Sequence, residues 1–138
     1  MTMPLLLPFL ALLAVAQEKG EPVPFTVLSK GTTGGFDGPV EKVVPSKKEW
    51  TAAWPRHPVP EVDFGKDVAL VVAFGTKPSS GYSVEITRVE KTAEEIRVFV
   101  RRTVPPKGSK QATVITHPFV VARMAKPDCK VVFVEDKD

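Results

Sequence analysis

The sequence predicts a mainly β fold: an antiparallel β-sandwich or open, barrel-like sheet of about seven strands with one short capping helix. Three observations carry this. Apolar residues alternate with polar ones over short runs, as in Tyr82, Val84 and Ile86 and again in Ile96, Val98 and Val100. Stretches rich in Gly, Pro and Ser punctuate those runs. Only one segment, "PSKKEWTAAWP", carries helical spacing together with start and stop signals.

The chain has 138 residues, 43% of them hydrophobic, which suits one domain with a core of its own. Its first element is not expected to belong to that core. The apolar run from Pro4 to Ala16 is too short to cross a bilayer, and it ends in Ala14-Val15-Ala16, the small-x-small pattern of a secretory cleavage site. Residues 1–16 are therefore expected to be a signal peptide cleaved near Ala16-Gln17, with the mature protein exported to the periplasm or the extracellular space. The n-region Met1-Thr2-Met3 departs from the usual pattern in carrying no Lys or Arg.

Residues 17–24 read as an extended lead-in, since Pro22 and Pro24 forbid a helix, and residues 25–138 as the β domain. Phe25 to Leu28 and Val40 to Val44 form strands on either side of the glycine-rich loop "KGTTGGFDGP". In the helix, Ser46 is the N-cap and Glu49 completes a capping box. Trp50, Ala53 and Trp54 share one face, and Pro55 ends the helix. That face is expected to plug the open side of a sheet.

Val68 to Phe74 is apolar throughout, as in a central strand buried on both faces. The strand from Tyr82 has one wet face, and its phase slips near Arg88-Val89, a bulge or the strand's end. "KTAEE" makes a hairpin to a strand with Ile96, Val98 and Val100 inward and Arg97, Phe99 and Arg101 outward. "TVPPKGSKQATVIT" is a long turn-rich loop, and Phe119 to Met124 and Lys130 to Val134 are the last strands.

Little in the chain points to catalysis. His57 and His117 both precede proline and have no Cys, Asp or Glu at ligand spacing, so neither a metal nor another cofactor is expected. Cys129 is the only cysteine, and a Cys–His nucleophile would need an orienting partner and an oxyanion hole that no motif supplies. "GTTGG" lacks the P-loop lysine and a following helix. The net charge of +3 comes with only short basic runs, Lys47-Lys48 and Arg101-Arg102, and no aromatic interleaving, so nucleic acid is not an expected partner. Fourteen prolines and no asparagine suit a thermophile. No cysteine follows the apolar run for lipid attachment, so no membrane anchor is expected after cleavage.

What remains is loops on a rigid scaffold, a common way to make a binding surface. In "TKPSSGY", Pro78 fixes one φ, Gly81 permits a turn that other residues resist, and Tyr82 offers a large face with a polar tip. The same residues also suffice for a plain hairpin turn. The order of "PSKKEWTAAW", "DVALVVAFGTKPSSGYSVEI", "VPPKGSKQA", "ITHPFVVARMAK" and "KVVFVE" resembles the C-terminal domain of PrcB-type proteins, roughly from Phe25 to Glu135. That resemblance implies export, no catalysis, and contact with a protein partner, a subtilisin-type surface protease or a component of its complex. The expected contact residues are Lys77, Pro78, Ser79, Ser80, Gly81, Tyr82, Lys107, Gly108, His117, Pro118 and Phe119. A second resemblance is kept as the alternative. Chagasin-type cysteine protease inhibitors carry Asn-Pro-Thr-Thr-Gly-aromatic, a glycine-rich loop and Arg-Pro-aromatic on an immunoglobulin-like scaffold. Here Lys77 to Tyr82, the loop at Gly108 and His117-Pro118-Phe119 follow that order, with Lys77 in place of the Asn and His117 in place of the Arg.

Overall fold

The apolar run from Val68 to Phe74 becomes a strand with a core on each face, and the other elements are arranged around it. The computed structural model describes residues 20–137, so the expected signal segment lies outside the described residues. The described elements are β1 (Glu21–Pro22), β2 (Phe25–Gly31), β3 (Pro39–Val44), α1 (Lys47–Ala53), β4 (Asp67–Phe74), β5 (Ser83–Lys91), β6 (Glu95–Thr103), β7 (Phe119–Ala125) and β8 (Lys130–Glu135). They form two four-stranded sheets, β1-β5-β6-β8 and β2-β7-β4-β3, packed as a sandwich and not as a closed barrel. The strand beyond the seven expected is β1, a two-residue pairing of Glu21 and Pro22 with Lys91 and Glu90. Proline is tolerated there because β1 is an edge.

All pairs are antiparallel except β6 with β8. The exception follows from the chain path. After β6 the chain crosses to the other sheet as β7 and returns, so β8 runs in the same direction as β6. Between the sheets lie Leu70 and Val72 of β4, Val84 of β5, Val98 and Val100 of β6, and Val120 of β7, all essentially without exposure. The phase slip expected near Arg88 is a bulge between Ile86 and Arg88. Val89 then returns to the inner face, and the strand continues to Lys91.

A second core covers the other face of β4 and β7, built from Val71, Val121, Phe36 and Trp50. The N-cap half of the expected capping box forms, with Ser46 Oγ accepting from the Glu49 N–H at 3.1 Å, while the Glu49 carboxylate meets the Ser46 hydroxyl at 3.5 Å and not its backbone N–H. Helix α1 therefore starts at a fixed point after β3 and sets Trp50, 2% exposed, onto the sheet. Full burial of a side chain at least as large as Phe contributes about 3 kcal/mol. The indole N–H finds a partner in the His57 carbonyl at 3.0 Å. Trp54 packs edge-on against both Trp50 and Phe36. The tryptophan pair thus closes the sheet's open side.

The outer face of the first sheet is charged and paired. Arg88 lies over the Phe99 ring at 3.8 Å, and the buried Asp136 carboxylate accepts from Thr87 at 2.5 Å, Arg88 at 3.1 Å and Arg101 at 3.4 Å.

Candidate functional site

Two connections meet at the end of the sandwich where β4 stops: residues 75–82, leading to β5, and residues 104–118, leading from β6 to β7. Lys77 and Thr116 exchange backbone hydrogen bonds at 2.8 and 2.9 Å, a small bridge outside the sheets. Ser80 holds the next point. Its N–H donates to the Ala112 carbonyl at 3.1 Å, and its hydroxyl donates to Gln111 Oε1 and accepts from the Ala112 N–H, both at 2.9 Å. Thr116 Oγ1 donates to the Ser79 carbonyl at 3.0 Å. Gly81 has φ +94°, and a Cβ there would lie 2.6 Å from Gln111 Oε1 and 2.8 Å from Pro105 Cβ. Only glycine suits both that backbone and that proximity. "TKPSSGY" is therefore one half of a two-loop unit, and the long loop is its other half.

A third loop joins at His117. Its N–H donates to the Thr32 carbonyl at 2.7 Å, and its carbonyl accepts from the Gly34 N–H at 3.3 Å. The glycine-rich stretch after β2 is thereby tied to the same end. His117 Nδ1 also lies 3.4 Å from Thr76 Oγ1.

The expected contact residues fall into two groups. Lys77 rests its ammonium 4.1 Å from the Phe74 ring centre and 5.6 Å from that of Tyr82, and the two rings meet edge to face. Cation–π attraction holds this lysine on an aromatic seat. Pro78 and Gly81 are exposed, Ser79 and Ser80 half-buried, and Lys107 and Gly108 stand in solvent on the turn that Ser109 closes to Pro106. Pro118 and Phe119 are set apart from these. Pro118 is fully buried. Phe119 lies on the far side of the sheet, beneath Gly34 and 5.8 Å from the Phe36 ring, where a Cβ on Gly34 would overlap it.

Two features escape a reading of the sequence. Val104, Val114 and Ile115 are 59%, 50% and 66% exposed, and all three stand on the long loop. The signal was present as apolar residues within a turn-rich stretch, where no periodicity assigns them a face. The other is a cleft of about 530 Å³ on the outer face of the second sheet, between β2 and the 57–61 connection. His57 stacks flat on Phe36 in its wall, ring centres 4.3 Å apart. Nothing local to "GTTGGF" or "RHP" pairs those two side chains.

The sole cysteine does not join a histidine. Cys129 lies at the opposite end of the sandwich from His117, beside Asp128 and at the margin of the inner core. Burial raises its thiol pKa, and a hydrogen bond and the charge of Asp128 raise it further, against the need of a nucleophile. Asp128 is itself held low by its hydrogen bond and ion pair with Lys91, whose pKa is raised in turn. Among the described residues no three His, Cys, Asp or Glu side chains gather in a way that could hold a metal ion.

Residues 68–125 match the family model described as PrcB C-terminal. The matched span runs from β4 into β7 and contains both halves of the two-loop unit. No curated protein and no solved structure matches the chain. Among the described residues no helix is long and apolar enough to cross a membrane.

Proposed function

We propose that this chain is an exported, non-catalytic binding or assembly subunit of a protease complex, and that it meets its protein partner through the loop unit centred on Lys77, Pro78 and Tyr82. The observation that carries the reading is the rigidity of that unit. Six hydrogen bonds made by Lys77, Ser80 and Thr116 hold the loop before any partner arrives. A preformed loop avoids the ordering entropy that a mobile one loses on binding. The PrcB C-terminal match over the same residues supports a role beside a protease. The inhibitor alternative takes Phe119 as the contact aromatic of its third loop, whereas Phe119 is turned beneath Gly34.

The test is recovery of partners from envelope extract with the tagged protein and with a Gly81→Val, Tyr82→Ala double variant whose folding is checked by circular dichroism. A protease, or a protein bound to one, is expected with the unaltered loop and lost with the variant. Retention of every partner by a folded variant removes the loop from the interface. Titration against a papain-type enzyme addresses the alternative: absence of inhibition at micromolar protein is expected.

A further inference from the structure

The long loop carries a second chemistry that the protein-binding reading does not use. Among the described residues four large apolar residues are exposed, and three of them, Val104, Val114 and Ile115, stand on this one loop. The loop's only charged residues are Lys107 and Lys110, both exposed. Neither connection, 75–82 or 104–118, contains an Asp or Glu. Of the acids on the adjoining strands, Glu41 and Glu135 are engaged by Arg102, both at 2.8 Å, and Glu85 by Lys30 at 3.5 Å and Arg101 at 3.9 Å. No carboxylate among the described residues pairs with Lys107 or Lys110.

We infer that this loop tip docks on an anionic lipid surface, with Val114 and Ile115 entering the headgroup boundary and Lys107 and Lys110 meeting lipid phosphates. The charge complementarity is one-sided: a lysine-bearing tip without acids fits a negative surface and repels a positive one. The apolar residues are branched aliphatics and the cations are lysines. Protein interfaces draw instead on Tyr, Trp and Arg, and their cores are depleted of Lys. Aliphatic side chains flanked by lysines match the chemistry of interfacial binding, where apolar burial and attraction to anionic lipid add. The loop's hydrogen bonds to Ser79, Ser80 and Lys77 fix the residues on either side of Val114 and Ile115 in place, so docking need not unfold it. This inference does not rest on the partner surface proposed above, because it concerns the purified protein and lipid alone.

The test reads the tip directly. In a Cys129→Ser background of the full chain, an environment-sensitive fluorophore is attached at Ile115→Cys or, as a control at the opposite end, at Ala93→Cys. The probes are vesicles of phosphatidylcholine, vesicles of equimolar phosphatidylcholine and phosphatidylglycerol, and soluble poly-glutamate. A blue shift at position 115 on the phosphatidylglycerol vesicles is expected, with none at position 93 and none on pure phosphatidylcholine. Lys107→Gln with Lys110→Gln should weaken binding about fivefold per lysine, roughly 25-fold together. High salt should release the tip. No shift at position 115 on anionic vesicles overturns the inference. So does a shift that is the same on neutral vesicles and indifferent to both lysines. A shift with poly-glutamate and none with vesicles assigns the tip to an acidic protein surface and also overturns it.

Discussion

Replacing Gly81 with Ala tests whether the two loops are one unit, and Gly108 supplies the control. Both glycines have positive φ, +94° and +82°. An alanine at either therefore stores backbone strain of about 1–2 kcal/mol, offset by about 0.4–1 kcal/mol because the unfolded chain loses freedom. There the likeness ends. A Cβ at Gly108 meets nothing within 4 Å, whereas at Gly81 it lies 2.6 Å from Gln111 Oε1 and 2.8 Å from Pro105 Cβ. Gln111 can swing away only by giving up its bond from Ser80, a loss of about 1 kcal/mol. Pro105 can yield only by moving backbone. Gly81→Ala should thus cost about 2–3 kcal/mol and Gly108→Ala about 1 kcal/mol or less. For a domain of this size the first lowers Tm by about 6–12 °C and the second by a few degrees at most. Urea and thermal unfolding of both variants read the difference. Adding Gln111→Ala should return part of the loss at Gly81 and nothing at Gly108. Equal destabilisation by the two alanines would refute loop–loop contact as the reason for Gly81.

The buried carboxylate at Asp136 should matter more than its place near the chain's end suggests. Asp136→Ala removes the acceptor shared by Thr87, Arg88 and Arg101, and denaturant unfolding should fall by about 1–3 kcal/mol, below the fully buried range because both arginines are partly exposed; an unchanged midpoint contradicts the packing described. The Cys129 pair of neighbours sets a reactivity prediction. Its raised thiol pKa predicts alkylation with a midpoint above that of an ordinary thiol, and Asp128→Asn should lower the midpoint part of the way, because burial, the larger cause, remains. The depressed Asp128 contributes stability above its ordinary pKa and loses it as pH falls through the lower folded value. The raised Lys91 contributes below its ordinary pKa and loses it as pH rises through the higher one. This pair should leave stability flat across neutral pH and weaken it only at the acid and alkaline extremes.

Most of the fold was legible because period and punctuation agree in this chain. The unbroken run from Val68 to Phe74 can only be buried on both faces, and the layer covering its second face was readable from Ser46, Glu49, Trp50 and Trp54. The parallel pairing of β6 with β8 was not legible, since it depends on which sheet β7 joins and no local residue encodes that. β1 was hidden for a related reason: two residues with a proline have no period, and only Glu90 and Lys91 opposite make them a strand.

The site divides along the same line. Loop residues whose role is conformational announce themselves, so Pro78 and Gly81 could be picked out of the sequence. Residues whose role depends on what lies opposite could not: Ser80 is anonymous until Gln111 and Ala112 are placed against it. Pro118 and Phe119 show the converse, since the motif that drew attention to them places them in the packing of the second sheet. A turn and a contact surface are in this case not competing readings of "TKPSSGY". The bonds that make it a good turn reach across to the long loop. Through them Lys77, Tyr82 and the apolar tip become parts of one rigid end of the sandwich, and a substitution at Ser80 or Gly81 should disturb surfaces it does not itself touch.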